Sequence, residues 1–242
     1  MRDLSLEVIG RCAFGDDYST IMIEGKHIRL TDYTQQLESK VFEYGMSPSY
    51  FFCPKIFDLD LDEDTRELKR LRQVVKTVGR QILKNRIQEI QKDPHCLESR
   101  TDLLNLMIRS HLNGRDFEEC ESLLNQELLI DECVTFVFAG SETTSALMEW
   151  TFYNLTQHPD ALEKLRAELE NHFGEALAAN PEKIITNPRK LDELPYLDRV
   201  IRETLRMFPP APAASPRVAL KDVELGSLKI KKGTLVSVTP YL

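Results

Sequence analysis

The feature of this sequence that most limits its fold is a long stretch without proline, from Leu123 to Gln157. The middle of this stretch is apolar on most helical faces, which is typical of a helix that is buried on several sides. A helix of this length spans about 50 Å, so it has to run through the body of a domain. The sequence therefore predicts a mainly α protein that is built around one long central helix.

Amphipathic patterns predict further helices on both sides of the central one. Gly15 and the prolines that open or follow helical stretches set several of the boundaries. The predicted helices are Leu4–Phe14, Thr31–Tyr44, Asp64–Lys92, Thr101–Ser110 with Thr101 or Asp102 as its cap, Pro159–Phe173 and Pro195–Met207. The stretch from Met46 to Asp62 carries prolines and aromatic residues, and it predicts a loop that packs on the core.

The pattern changes near the end of the sequence. Val223–Leu225 and Leu228–Ile230 flank Gly226-Ser227, which predicts a β-hairpin with a two-residue turn, and Leu235–Val238 predicts a further strand. The signal for a sheet starts only here. We therefore predict one domain over residues 1–242, with a helical core at 1–208 and a loop and hairpin segment at 209–242.

Composition excludes several classes of function. The formal net charge is −8 and there is no long basic run, which argues against a nucleic-acid partner. The five cysteines are scattered without a CxxC spacing, and the five histidines form no ligand pair, so we expect neither a zinc site nor a disulfide framework. No apolar run is long enough for a membrane-spanning helix, and no signal peptide opens the sequence, which begins like the inside of a domain.

The centre of the long helix contains Ala139-Gly140-Ser141-Glu142-Thr143-Thr144. Glycine costs about 1 kcal/mol relative to alanine in a helix, and a carboxylate is costly in a buried segment unless it is bonded or used. One interpretation is that the helix opens locally beside a flat cofactor, to which a hydroxyl and a carboxylate deliver protons. The other is a close crossing of two helices with an incidental glutamate. The segment alone leaves both open.

Glu203 and Arg206 lie three residues apart on one helical face. The same spacing recurs at charge-rich positions elsewhere in the chain, where a solvated surface pair is expected. Here the neighbouring residues are apolar and Phe208-Pro209-Pro210 ends the helix. We therefore predict a buried pair that fixes the geometry of the chain at this point.

Three features in this order resemble the cytochrome P450 family: AGSETT at 139–144, ETLRMFPP at 203–210, and Pro216-Arg217 before the KDVEL…IKKGT hairpin. The opening LSLEVIGRCAFG is similar to the family's helix before its substrate-recognition region. The resemblance implies a partial cytochrome P450 fold. It also implies insertion of one oxygen atom from O2 into a small lipophilic substrate at a haem, with electrons that come from NADPH through a reductase partner.

The resemblance also implies roles for individual residues. Ala139 and Gly140 would lie against the haem, Thr143 matches the threonine that hydrogen-bonds dioxygen, and Glu142 matches its acidic partner in proton delivery. The remaining matches are Glu203 and Arg206 for the family's structural ion pair, Arg217 for a contact with a haem propionate, and Pro212, Ala213, Ala214 and Ser215 for a turn that faces the substrate.

The sequence departs from the family in more than one respect. The cysteine that ligates the iron lies downstream of the hairpin in the family, and none of the five cysteines here fits its motif, since Cys12 has the wrong spacing and Cys133 lies in the central helix. We expect the chain alone to be inactive and not to hold a thiolate-ligated haem. The resemblance also implies an amino-terminal membrane anchor, which we expect to lie outside these residues, so the location stays open; in a full-length eukaryotic protein it would be the endoplasmic reticulum membrane.

Three interpretations follow for the whole chain. It is a fragment of an active monooxygenase, a truncated remnant without catalytic function, or an unrelated helical interaction protein whose motifs match by chance. The complete reading frame separates the first two, because it either contains the cysteine motif or stops before it. A map of the helices tests the third, because a simple helical bundle would not place a β-hairpin after Phe208-Pro209-Pro210.

Overall fold

A computed structural model describes residues 1–23, 25–45, 63–112, 126–179, 188–211 and 216–238. The described part is mainly helical. Its helices are α1 (Arg2–Phe14), α2 (Leu30–Gly45), α3 (Glu63–Lys92), α4 (Cys96–Ser99), α5 (Leu103–Leu112), α6 (Gln126–Gln157), α7 (Pro159–Ala179) and α8 (Pro195–Met207), with a 3-10 helix at Pro188–Glu193. The chain divides into two compact units, Met1–Glu142 and Thr143–Leu242. Within the described ranges, no helix is both long enough and apolar enough to cross a membrane.

The core of the first unit forms where α1, α3, α5 and the start of α6 pack together. Their apolar stripes meet in one buried cluster, and the least exposed members include Leu6, Ile82, Leu104, Ile108 and Leu129. A smaller cluster of Leu37, Leu68, Leu71 and Val75 joins α2 to α3. The helices are therefore held by the apolar faces that their sequence periodicity predicted.

A glycine brings α3 and α6 close together. A Cβ atom at Gly79 would lie 2.9 Å from the main-chain oxygen of Ile130 and 3.0 Å from a methyl group of Val134. Any larger side chain at this position would push the two helices apart, because the nearest obstacle is backbone that cannot turn aside.

A buried arginine joins three segments of the first unit. The Arg86 side chain is 2% exposed and donates to both carboxylate oxygens of Asp102, at 3.0 and 2.9 Å. It also donates to the side-chain oxygen of Asn105 and to the main-chain oxygen of Phe14. Asp102 in turn accepts a hydrogen bond from the main-chain N–H of Asn105, so it is the cap of α5. Its Nε lies 3.1 Å from the Glu89 carboxylate, so each nitrogen of the guanidinium has an acceptor, which offsets the cost of burying the charge.

The first unit also contains a hairpin that the sequence analysis did not predict. Strand β1 (Thr20–Ile23) pairs antiparallel with β2 (Lys26–Arg29), and Thr20 lies opposite Arg29. The prediction that strands begin only near residue 223 is therefore wrong. Four-residue strands of mixed polarity carry too little alternation to be recognised from sequence.

In the second unit, the start of α8 is fixed by a side chain from α7. The Glu168 carboxylate accepts the main-chain N–H groups of Tyr196 and Leu197, at 2.8 and 2.9 Å. These are donors that a helix leaves unsatisfied at its first turn. The other end of α8 is fixed by Phe208, whose ring stacks on Trp150 with 4.1 Å between centroids and 5° between planes.

The predicted hairpin near the end of the chain is confirmed. Strand β4 (Val223–Leu225) pairs antiparallel with β5 (Leu228–Ile230) across Gly226, whose φ of 60° requires glycine at this turn. Strand β3 (Arg217–Val218) pairs with β6 (Leu235–Val236) in the same sense. Most side chains of these strands are exposed in the part of the chain that the structure describes.

Most helix boundaries agree with the sequence prediction within a few residues, and Asp102 is the cap of α5 as expected. Helix α7 continues beyond the predicted end at Phe173, to Ala179. The predicted loop at Met46–Asp62 lies outside the described residues. The mainly α fold with a long central helix and a small β region is confirmed.

Candidate functional site

The middle of α6 has distinct buried and exposed faces. Ser141 and Ser145 are buried at 3% and 1% exposure, whereas Ala139 and Thr143 are exposed. Ala139 and Thr143 are four residues apart, so they lie on the same helical face one turn from each other. The helix is continuous from Gln126 to Gln157, so the interpretation of a locally opened helix is not supported by the described backbone. The Ser141 hydroxyl is bonded within the helix, where it donates to the Val137 carbonyl at 2.6 Å.

Gly140 allows α1 to approach α6 closely. A Cβ atom on this glycine would lie 2.5 Å from Cγ1 and 2.7 Å from Cδ1 of Ile9. Close by, the Ser5 hydroxyl donates to the Ser141 main-chain oxygen at 2.9 Å. The space at Gly140 is therefore filled by α1, which favours the helix-crossing interpretation at this residue. Ala139, which precedes this glycine, has an exposed side chain.

The carboxylate of the motif is held by an arginine from the first turn of α1. Arg2 lies 3.1 Å from Oε2 and 3.3 Å from Oε1 of Glu142, whose side chain is 15% exposed. The same guanidinium lies 3.7 Å from Glu38 on α2. Glu142 is thus a largely buried acid with a charged partner, and it directly precedes the exposed Thr143.

Comparison with known proteins assigns the chain to a family. The family model of cytochrome P450 matches residues 1–242, the whole chain.

The chain belongs to the cytochrome P450 family.

Similar P450 proteins come from animals and plants. Cytochrome P450 3A7 of Homo sapiens is 36% identical over 163 residues, which are 67% of this chain and 29% of the relative. Cytokinin hydroxylase of Arabidopsis thaliana is 31% identical over 234 residues, 96% of this chain and 41% of the relative. Cytochrome P450 3A29 of Sus scrofa is 39% identical over 143 residues, 59% and 26% respectively. The chain thus spans between about a quarter and two fifths of the relatives it matches.

The ion pair expected in P450 proteins forms here, but not in the predicted surroundings. The Arg206 guanidinium donates two hydrogen bonds to the Glu203 carboxylate, at 2.8 and 2.7 Å. The two side chains are 69% and 57% exposed, so the expectation of a buried pair is wrong for the described chain. Leu205 and Met207, two of the apolar neighbours on which that expectation rested, are exposed as well. The hydrogen bonds from Arg206 lower the pKa of Glu203.

The remaining predicted residues fall in two groups. Arg217 is exposed on β3, where it pairs with Val236. Pro212, Ala213, Ala214 and Ser215 lie outside the described residues, so their predicted position in a substrate-facing turn stays a prediction.

The exposed face of α6 fits one side of a haem. A flat macrocycle needs room against the helix, and the small exposed side chain of Ala139 leaves room one turn before Thr143. Three cysteines lie in the described residues: Cys12 is exposed on α1, Cys96 is partly exposed on α4, and Cys133 is fully buried on α6. Burial raises the pKa of the Cys133 thiol to about 12. Cys53 and Cys120 lie outside the described residues.

Sequence reasoning did not identify Arg2, Ser5 and Ile9 as neighbours of the motif. These residues are separated from it by more than 130 positions, and no local pattern reveals such a pairing. The one available signal was the spacing of Arg2, Ser5 and Ile9, which places them on one face of α1.

Proposed function

We propose that the complete protein that carries this segment is a haem-dependent monooxygenase, which inserts one oxygen atom from O2 into a lipophilic organic substrate. One observation carries the proposal. Ala139 and Thr143 are exposed one turn apart on α6, and Glu142 beside them is held by Arg2. Membership of the cytochrome P450 family supports the same chemistry.

The residues of α6 have separate roles in this proposal. Ala139 leaves room for the haem, which supplies the oxygen-activating chemistry when it is bound. Thr143 donates a hydrogen bond from its hydroxyl to the reacting oxygen. When that hydroxyl passes on its proton, Glu142 would return one to it and take up another from solvent, and Arg2 would fix the orientation of the carboxylate. Gly140 contributes indirectly, because it allows α1 to hold the helix in place.

Further residues that match the family lie in the second unit. The bidentate geometry of Glu203 and Arg206 suits a pair that stabilises the chain near the haem. Arg217 would bind a haem propionate, and Pro212 to Ser215 would face the substrate. In this proposal residues 1–242 belong to one domain, with the helical core at 1–208 and the hairpin segment at 209–242.

The proposed reaction also needs partners. Electrons would come from NADPH through a reductase, as the family resemblance implies. In a full-length eukaryotic protein, an amino-terminal anchor would hold the enzyme at the endoplasmic reticulum membrane.

The test uses the product of the complete reading frame. We expect its reduced carbon monoxide complex to absorb at the family's hallmark position, and a lipophilic substrate can then be chosen by the spectral shift that it causes. In that protein, Thr143→Ala should lower the product formed per O2 consumed by roughly a hundredfold, because the proton donor is lost.

Thr144→Ala is the matched control. This neighbouring threonine is also exposed, but it lies about 100° further around the helix, so its loss should leave the product yield near the wild-type value. Equal yields from the two variants would contradict the role of Thr143. A complete protein without the hallmark band would contradict the proposed function and favour a remnant without catalysis.

A further inference from the structure

The acid of the candidate site shares its arginine with a second carboxylate. Arg2, in the first turn of α1, lies between Glu142 on α6 and Glu38 on α2, at 3.1 Å from the first carboxylate and 3.7 Å from the second. The three side chains thus come from three helices of the first unit. Because they comprise two acids and one base, they carry an excess negative charge when all of them are ionised.

Both carboxylates contact the same nitrogen of the guanidinium. Nη1 of Arg2 lies 3.3 and 3.1 Å from the two oxygens of Glu142, and the same atom lies 3.7 Å from Glu38. Glu203 and Arg206 form the contrasting arrangement, in which Nε and Nη2 donate to separate oxygens at 2.8 and 2.7 Å. A bidentate pair is the stronger of the two geometries. Arg2 therefore holds Glu142 more loosely than a bidentate arginine would.

Packing of α2 against α1 keeps Glu38 beside Arg2. The Thr31 hydroxyl donates to the Asp3 carboxylate at 2.8 Å, which ties the start of α2 to α1. Thr31 is buried, and Glu38 lies seven residues further along the same face of α2. The Glu38 side chain is 51% exposed, whereas that of Glu142 is 15% exposed. The shared arginine therefore joins a largely buried acid to one in contact with solvent.

The role proposed for Glu142 requires an acid that is oriented but not locked. To return a proton to Thr143, the acid must be protonated for part of the time, and a positive charge beside a carboxylate opposes its protonation. A second negative charge nearby has the opposite effect, because it favours the neutral form. Glu38 supplies that charge at the arginine itself.

We infer that Glu38 is a positioning residue for Glu142: it competes for Nη1 of Arg2 and so allows the acid to exchange protons with Thr143 and with solvent. The inference rests on the proposed function, since it concerns proton delivery by Glu142. Glu38 acts through Arg2 and not on the reacting atoms themselves.

The first test measures the titration of Glu142 in the 242-residue chain, which needs no haem. Carbon-13 NMR of glutamate-labelled protein follows the carboxylates, and the signal of Glu142 is assigned by its loss in Glu142→Gln. We expect Glu38→Gln to move the midpoint to lower pH, with a roughly tenfold loss of proton affinity, because Arg2 then serves one carboxylate. Arg2→Gln should move the midpoint in the opposite direction.

Two variants separate this effect from a general change in charge. Glu43→Gln removes the same charge from an exposed position of α2, where the side chain lies 3.9 Å from Lys40, and it should leave the titration of Glu142 unchanged. Glu38→Asp retains the charge on a shorter side chain, and it should restore part of the wild-type behaviour. Because Glu38 is exposed, substitutions there should not impair folding.

The second test uses the complete, haem-containing protein. We expect Glu38→Gln to lower the product formed per O2 consumed several-fold at alkaline pH, and to leave it near the wild-type value at acidic pH, where Glu142 regains its proton. A purely structural role of Glu38 would lower the yield equally at both pH values.

An unchanged titration of Glu142 in Glu38→Gln, or an equal shift in Glu43→Gln, would overturn the inference. A product yield that Glu38→Gln lowers equally at acidic and alkaline pH would do the same. If the complete protein lacked the hallmark band, the proposed function would fail, whereas the titration would still decide whether Glu38 controls the protonation of Glu142.

Discussion

Arg86 shows what a single charged residue does in the core of the first unit. Its side chain is 2% exposed, and its partners come from the end of α1 and the start of α5. A buried ion pair of this kind contributes modestly when it is intact, but the loss of one partner leaves the other charge buried without compensation. The arginine therefore stabilises the fold only while its buried partners are present.

We predict that Arg86→Met lowers the free energy of unfolding by about 3–5 kcal/mol, because the carboxylate of Asp102 and the amide of Asn105 lose their donor. Urea unfolding followed by circular dichroism measures the change. Arg109→Met is the control on α5, where the side chain is exposed, and its effect should stay within about 0.5 kcal/mol. A loss below about 1 kcal/mol for Arg86→Met would show that the network does not hold the segments together.

The sequence alone was enough to predict which chemical groups lie at the candidate site, but not which residues contact those groups. The order of Glu142 and Thr143 was enough to predict an acid and a hydroxyl at the centre of α6. Their surroundings depend on Arg2 and Ile9, which reach the motif through tertiary packing. The same limit applies to Glu203 and Arg206, whose pairing follows from helical spacing but whose exposure does not.

At the scale of the elements, Gly140 and Gly174 provide a comparison between two helical glycines. A Cβ atom at Gly140 would meet Ile9 at 2.5 Å, whereas at Gly174 the nearest atom is a flexible side-chain carbon of Glu170 at 3.8 Å. The first glycine is required by a helix crossing. The second lies where an alanine has ample room.

We predict that Gly174→Ala stabilises the chain by about 1 kcal/mol, since alanine is the better helix former. Gly140→Ala should destabilise it by about 1 kcal/mol on balance, because the overpacking against Ile9 exceeds this gain. Denaturant unfolding of both variants gives the difference. In a double-mutant cycle with Ile9→Ala, the coupling energy should be about 1–3 kcal/mol, and additive effects would contradict the contact.

The elements themselves were largely predictable. Long stretches with apolar residues at helical spacing, such as Glu63–Lys92, become helices because burial of one face stabilises them wherever they pack. Strands β1 and β2 were not predicted, because a segment of four residues of mixed polarity can be either a strand or a loop. The terminal hairpin was recognised by its glycine turn and not by its strands.

At the scale of the whole molecule, the two units differ in the amount of buried apolar surface. The described apolar residues that are buried in the second unit are Leu155, Leu165, Phe173 and Leu194, whereas the first unit contains the large cluster around Ile82 and Ile108. Stability rises with the apolar area removed from water. The second unit should therefore unfold more easily.

We predict that intrinsic fluorescence and circular dichroism report different unfolding transitions. Trp150 is the one tryptophan of the sequence, and its ring stacks on Phe208 within the second unit, so fluorescence follows that unit alone. The fluorescence midpoint in urea should come before the main loss of helical ellipticity. Phe208→Leu should change the emission of the folded chain and confirm the assignment. Coincident transitions would show that the two units unfold together.

The glycines at positions 79 and 140 have a joint consequence for α6. Gly79 brings the backbone of α3 against Ile130, and Gly140 admits Ile9 of α1 ten residues further along the same helix. These two close contacts lie on different sides of α6, so the helix cannot rotate about its own axis without a steric clash at one of them. Packing of the protein alone therefore fixes the direction in which the Ala139 face of α6 points. A bound ligand would not have to supply the free energy that orients this face.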